Sequence, residues 1–151
     1  MAKKLSIMKR IFLLVTFCFS MTSFAQKAEV EQTVKTFFEA FHAKDTLKIK
    51  SVCHENLILQ SVMEGQKGTK FGEEKASEFY KSIATFPANM TFEEKILSYN
   101  IQIDGKMAHA WTPYEFYING KLSHSGVNAF TFFKENDVWK IIHLVDTRRR
   151  K

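Results

Sequence analysis

The sequence predicts an α+β domain, helices first and an antiparallel sheet afterwards, on three observations. Apolar residues recur with a helical period of about 3.6 in the first half of the chain, everything after Pro87 alternates with a period of two, and turn dipeptides Asp104-Gly105 and Asn119-Gly120 divide the second half into hairpins. The 151 residues have room for one hydrophobic core. A make-up of 45% hydrophobic and 25% charged residues, with 2 Pro and 6 Gly, excludes a disordered, collagen-like or low-complexity chain.

The elements follow in order. Lys3, Lys4, Lys9 and Arg10 precede an apolar run from Ile11 to Met21, and Ser23-Phe24-Ala25 has the small-x-small pattern of a cleavage site. Residues 1–25 therefore read as a signal peptide that sends the chain to the periplasm or the medium. The apolar run falls short of the roughly 20 residues that span a bilayer, so no membrane association is expected once the leader is removed. Removal takes four of the 22 basic residues and none of the 16 acidic ones, which lowers the net charge from +6 to +2. Four of the remaining positives are Arg148-Arg149-Arg150-Lys151, expected to form a solvated tail over 148–151. The body, 26–147, is thus slightly acidic and offers no basic surface for nucleic acid. Cys53 is the one cysteine outside the leader, so no internal disulfide forms, and a small buried thiol is the expected role.

Val30, Val34, Phe37, Phe38 and Phe41 line one face of a helix over Lys27–Lys44. Asp45 or Thr46 caps a second, short helix that runs to about Cys53. A strand is predicted over Leu57–Val62, then a loop marked by Gly65 and Gly68. A third helix follows, with Glu73 and Glu74 at its positive end, Ala76, Phe79, Tyr80 and Ile83 as its buried stripe, and Pro87 as its stop. Four strands complete the chain: Leu97–Ile103, Met107–Ile118, Lys121–Phe133 and Val138 to about Thr147, the last entered through Glu135-Asn136-Asp137.

Counting outward from two-residue turns sets Glu115 opposite His124, Trp111 opposite Asn128 and His109 opposite Phe130. One face then gathers His109, Trp111, Glu115, Tyr117, His124, Asn128, Phe130, Trp139 and His143, an aromatic floor with convergent polar groups of the kind that suits a small-molecule pocket. Glu115 and His124 form either an acid–base pair or a simple cross-strand ion pair. A bulge near Pro113 or Gly126 would send the two to opposite faces. The other face, with Thr112, Tyr114, Leu144 and Asp146, is expected outside as a candidate dimer surface. The sequence has no CxxC, HxH or HExxH spacing, no glycine-rich phosphate loop and no GxSxG elbow, so neither metal nor cofactor is expected.

The order of elements, with Trp111-Thr112-Pro113-Tyr114-Glu115-Phe116-Tyr117, Ser123-His124-Ser125-Gly126-Val127-Asn128, and Trp139-Lys140-Ile141-Ile142 ending in Asp146-Thr147-Arg148-Arg149, resembles the nuclear transport factor 2-like superfamily, over essentially the whole chain after the leader. The nearest likeness is to its small secreted bacterial members, lumazine-binding or polyketide-cyclase-like. The resemblance implies a cone-shaped curved antiparallel sheet closed by about three N-terminal helices, an internal pocket, and frequent homodimerisation across the outer sheet face. The superfamily holds isomerases, dehydratases and cyclases as well as non-catalytic binding and assembly domains, so the fold does not choose among them. The expected function is a secreted, dimeric protein that binds a small hydrophobic or aromatic ligand. Trp111, Tyr117, Phe130 and Trp139 are its expected walls, with His109 and His143 on the same face, and His124, Asn128 and Glu115 orient the ligand. Two alternatives stand beside it. One is a cofactor-independent isomerase, dehydratase or cyclase that uses His124 or Glu115 as acid or base, and the other is a non-catalytic dimeric interaction domain.

Overall fold

The structure is a computed structural model that describes residues 24–150. The predicted leader lies outside the described residues except for Phe24 and Ala25, which belong to the first helix, and Lys151 of the predicted tail also lies outside them. Helix α1 covers residues 24–42. It is followed by α2 (Thr46–Val52), β1 (Cys53–Gly65), β2 (Gly68–Glu74), α3 (Ala76–Ala84), β3 (Phe92–Ile96), β4 (Asn100–Asp104), β5 (Met107–Ile118), β6 (Lys121–Glu135) and β7 (Val138–Arg149). No helix among the described residues is long and apolar enough to cross a membrane.

The helices form where the apolar period placed them. Val30, Val34, Phe37 and Phe38 on α1 are buried, and Lys44 turns the chain with φ of 56°. Asp45 caps α2 by accepting the backbone N–H of Lys48 at 2.9 Å, which satisfies one of the otherwise unpaired early donors. Helix α3 begins at Ala76, later than expected. Glu73 and Glu74 lie in β2, and Gly65 and Gly68 face each other across a hairpin that was expected to be a loop. β2 is an edge strand with almost every side chain exposed, so it carries no apolar alternation to read.

The seven strands form one curved, unclosed sheet in the order β2-β1-β7-β6-β5-β3. β3 and β4 lie end to end along β5 and share its edge. Every ladder is antiparallel except β1–β7, which is parallel and joins the β1–β2 hairpin to the meander. The hairpin turns are close to expectation. Asn119-Gly120 and Asn136-Asp137 have positive φ at both positions, whereas the first turn is Gly105-Lys106, one residue on from Asp104-Gly105. Strand β7 runs through Arg149, so Arg148 and Arg149 belong to the sheet and not to a tail.

Two irregularities decide which side chains face inward. Phe116 pairs with His124 but Tyr117 pairs with Leu122, which leaves Ser123 as an extra residue on β6. Thr131 pairs with His143 but Phe132 pairs with Ile141, which leaves Ile142 extra on β7. Each one-residue slip reverses the faces beyond it. At the β4 end the inner face is packed solid under α1 and α2, with Ala108, Ala110, Phe130, Phe132, Trp139 and Ile141 all buried. Phe130 sits 5.9 Å from Phe37 and 6.0 Å from Phe38, centroid to centroid.

Candidate functional site

Beyond that packed block the helices and the sheet diverge and leave a cavity of about 370 Å³. Its walls are aromatic and come from distant parts of the chain: Phe37, Phe38 and Phe41 from α1, Phe79 from α3, Phe86 after it, Phe92 on β3 and Phe116 on β5. They brace one another, with ring centroids 4.7 Å apart for Phe41 and Phe92 and 4.5 Å for Phe86 and Phe92. Such contacts add to the area they bury and hold the walls in place.

The polar groups stand together on the sheet. Thr112 of β5 pairs with Asn128 of β6, Asn128 with Asp146 of β7, and Asp146 with Ser61 of β1, so one row of the inner face carries polar side chains from four adjacent strands. Asp146 is buried and well bonded: the Ser61 hydroxyl donates to it, Tyr114 Oη donates at 3.2 Å, and Arg148 Nε donates at 2.6 Å. Tyr114 Oη also reaches the Thr147 carbonyl at 2.9 Å, and the Thr147 hydroxyl accepts the Val127 N–H at 3.0 Å. These bonds replace ladder contacts where Gly126 and Val127 pass β7. Burial, followed by the charges of Asp146 and Glu94, pushes the Tyr114 phenol far above its ordinary range, so it keeps its proton and can donate it.

Glu94 on β3 completes the set. Its strand alternates Phe92, Glu94 and Ile96 toward the interior, and Asn128 Nδ2 donates to Glu94 Oε1 at 2.6 Å. The backbone N–H of Glu94 is held at 2.9 Å by Nε2 of His42 at the end of α1. Burial pushes the Glu94 carboxyl up to about 7, with Asp146 adding to the effect, while the Asn128 bond and Arg148 oppose it. Glu94 therefore exchanges between acid and carboxylate near neutral pH, whereas Asp146 has its acceptors filled by a guanidinium and two hydroxyls. The two carboxyls of the cavity thus have different hydrogen-bond environments, and burial raises the pKa of Glu94. Burial, then Arg148, lowers the His124 pKa, so its ring is neutral where it stacks 4.9 Å from Phe116. Among the described residues no group of three or more His, Cys, Asp or Glu side chains is arranged to hold a metal ion.

Of the residues that the sequence grouped on one face, the cavity takes His124 and Asn128. Phe130 and Trp139 face inward but belong to the solid core, where Trp139 Nε1 donates to Glu29 at 3.2 Å. The other five lie on the outer face. Glu115 pairs with Ser125 and not His124, and it accepts the Tyr117 hydroxyl at 2.6 Å. Trp111 is 47% exposed. His143 Nε2 lies 3.1 Å from Gln60 Oε1, and His109 pairs with Thr131. Conversely Thr112, Tyr114, Leu144 and Asp146, expected outside, face inward. The cause is the pair of bulges, which a count from ideal turns cannot contain. Glu94 was missed for another reason: a carboxyl at the inward position of β3 erases the apolar alternation by which a strand is recognised.

No protein-family model and no curated protein matches the chain by sequence. Solved structures do match its shape. A nuclear transport factor 2-like protein from Salmonella enterica superposes with a TM-score of 0.64 at 16% identity, over 85% of this chain and 94% of that one. A candidate dehydratase of the nuclear transport factor 2-like family from Streptomyces avermitilis gives 0.64 at 16% identity, over 84% and 98%. The β subunit of a candidate aromatic-ring-hydroxylating dioxygenase from Novosphingobium aromaticivorans gives 0.68 at 9% identity, over 86% and 93%. At these identities the likeness concerns the fold, and the fold is the nuclear transport factor 2-like one.

Proposed function

We propose that this chain is a secreted small-molecule-binding protein whose cavity takes a compact apolar or aromatic body and orients it on the polar row at its floor. The observation that carries this reading is the joining of an aromatic enclosure of about 370 Å³ to a convergent polar set, Glu94, Asn128, Tyr114 and Asp146, within the size and make-up of small-ligand sites. Secretion rests on the leader pattern of residues 1–25. Dimerisation is proposed through the outer face of the sheet, where Trp111, Ile58 and Phe71 are 47%, 48% and 66% exposed.

Leu144 tests the cavity directly, because it lies on the inner face opposite Phe130 and lines the hollow. Leu144→Trp places an indole in that space. In calorimetric titration the wild-type chain is expected to bind one naphthamide per chain, and Leu144→Trp to weaken that binding by about tenfold or more. Equal affinity in both proteins, or no binding to the wild type, would contradict the reading.

A second reading is favoured by Glu94. A carboxyl with a pKa near 7 is matched to proton transfer at neutral pH, so the cavity suits a cofactor-independent isomerase, dehydratase or cyclase in which Glu94 is the acid or base. Glu115, on the outer face, does not share that position, while His124 stays beside the cavity as a neutral ring. In this reading a compound retained by the purified protein, identified by native mass spectrometry, is converted by the wild type and left unchanged by Glu94→Gln.

A further inference from the structure

We infer that the ligand is an amphiphilic anion, with its apolar body in the aromatic cavity and a carboxylate or similar anionic head in a basic vestibule outside it. This inference rests on the binding reading above and names the chemical class of its ligand.

The vestibule is a second hollow, about 570 Å³, between the tip of the β1–β2 hairpin and the end of β7. Lys67, Lys70, Arg148 and Arg150 line it, against the single acid Glu64. The sheet register places two of these cations together. Lys70 pairs with Met63 and Met63 with Arg148, so Lys70 and Arg148 flank Met63 on the inner face, two residues further along each strand from the Ser61–Asp146 pair. Among the described residues no salt bridge occupies Lys67, Lys70 or Arg150, while Arg148 is shared with Asp146.

The two hollows adjoin, because His124 and Arg148 line both. A molecule that follows this path meets phenylalanine rings, then the Glu94–Asn128–Asp146 row, then a vestibule in which the basic side chains outnumber the acidic one. An anionic head at the inner end would be desolvated beside Asp146, whose oxygens are already taken by Ser61, Tyr114 and Arg148, and beside Glu94, whose own ionisation there is disfavoured by burial. Among the described residues, the outer end offers Lys67, Lys70 and Arg150 outside any salt bridge, against the one acid Glu64. Positive charge at the mouth also draws an anionic ligand toward the opening. The apolar body supplies affinity and the head supplies orientation, a division of labour usual in such sites.

Three probes with one ring system and different heads test this: naphthoate, naphthamide and protonated naphthylmethylamine, titrated calorimetrically into the full chain at low salt. The expected order is naphthoate, then naphthamide, then the ammonium compound, with naphthoate ahead of naphthamide by about tenfold and that margin shrinking as salt is added. In Lys67→Glu/Lys70→Glu the margin is expected to vanish. Equal binding of naphthoate and naphthamide to the wild type, or a margin that survives in the double variant, would overturn the inference and leave the binding reading standing. Failure of all three probes to bind would remove both.

Discussion

Glu94→Gln is expected to make the protein more stable at about pH 8, by roughly 1–3 kcal/mol in urea unfolding, and to leave its stability at about pH 4 nearly unchanged. Burial raises the Glu94 carboxyl from 4.5 to about 7. Between those values the folded state holds a proton that the unfolded state has released, so stability is full below pH 4.5 and falls as pH rises through 7. Above that range the folded protein must keep a carboxylate in the cavity, and glutamine removes the charge while still accepting the Asn128 amide bond. A gain of similar size at both pH values would show that Glu94 destabilises for a reason other than ionisation. No gain at about pH 8 would show that the carboxyl is ordinary.

Gly126→Ala is the change expected to do the most damage. A Cβ at Gly126 would lie 1.7 Å from the Thr147 carbonyl oxygen and 2.8 Å from Cε1 of Tyr114. The first of these is backbone, and the second belongs to a ring fixed by its hydroxyl bonds to Thr147 and Asp146, so neither can move aside cheaply. The expected loss is about 3–5 kcal/mol, enough to unfold a marginal domain. Gly72→Ala is the matched control. Its Cβ would meet only the flexible end of Met63 at 3.3 Å, and a change within about 0.5 kcal/mol is expected. Equal urea midpoints for the two variants would mean that Tyr114 does not cross β6 as described.

The fold was legible because its main signals are local and strong. The α1 stripe, the Asp45 cap, the alternation of β5 to β7 and the asparagine turns each fix one element with little help from the rest of the chain. The site was less legible because it depends on register. Two bulges, at Ser123 and Ile142, reverse the faces of β5 and β7 relative to a count from the turns, and both sit among residues that look like regular strand. That is why Glu115 and Tyr117 exchanged places with Tyr114 and Phe116, and His143 with Leu144. Asn128 and His124 kept their face because they lie between the two bulges on β6. Glu94 and β2 left no apolar period at all, one because a functional-type residue fills an inward position and the other because the strand is an exposed edge.

The central claim is that Glu94 opens onto a hollow dry enough to hold its carboxyl uncharged near neutrality. Carbon-13 NMR of the glutamate carboxyls, assigned by comparison with Glu94→Gln and followed against pH with and without saturating naphthamide, tests it most directly. The account predicts a midpoint near 7 for the free protein and a higher one when the neutral probe displaces water from the cavity. A midpoint in the ordinary carboxylate range, unmoved by the probe, would contradict it.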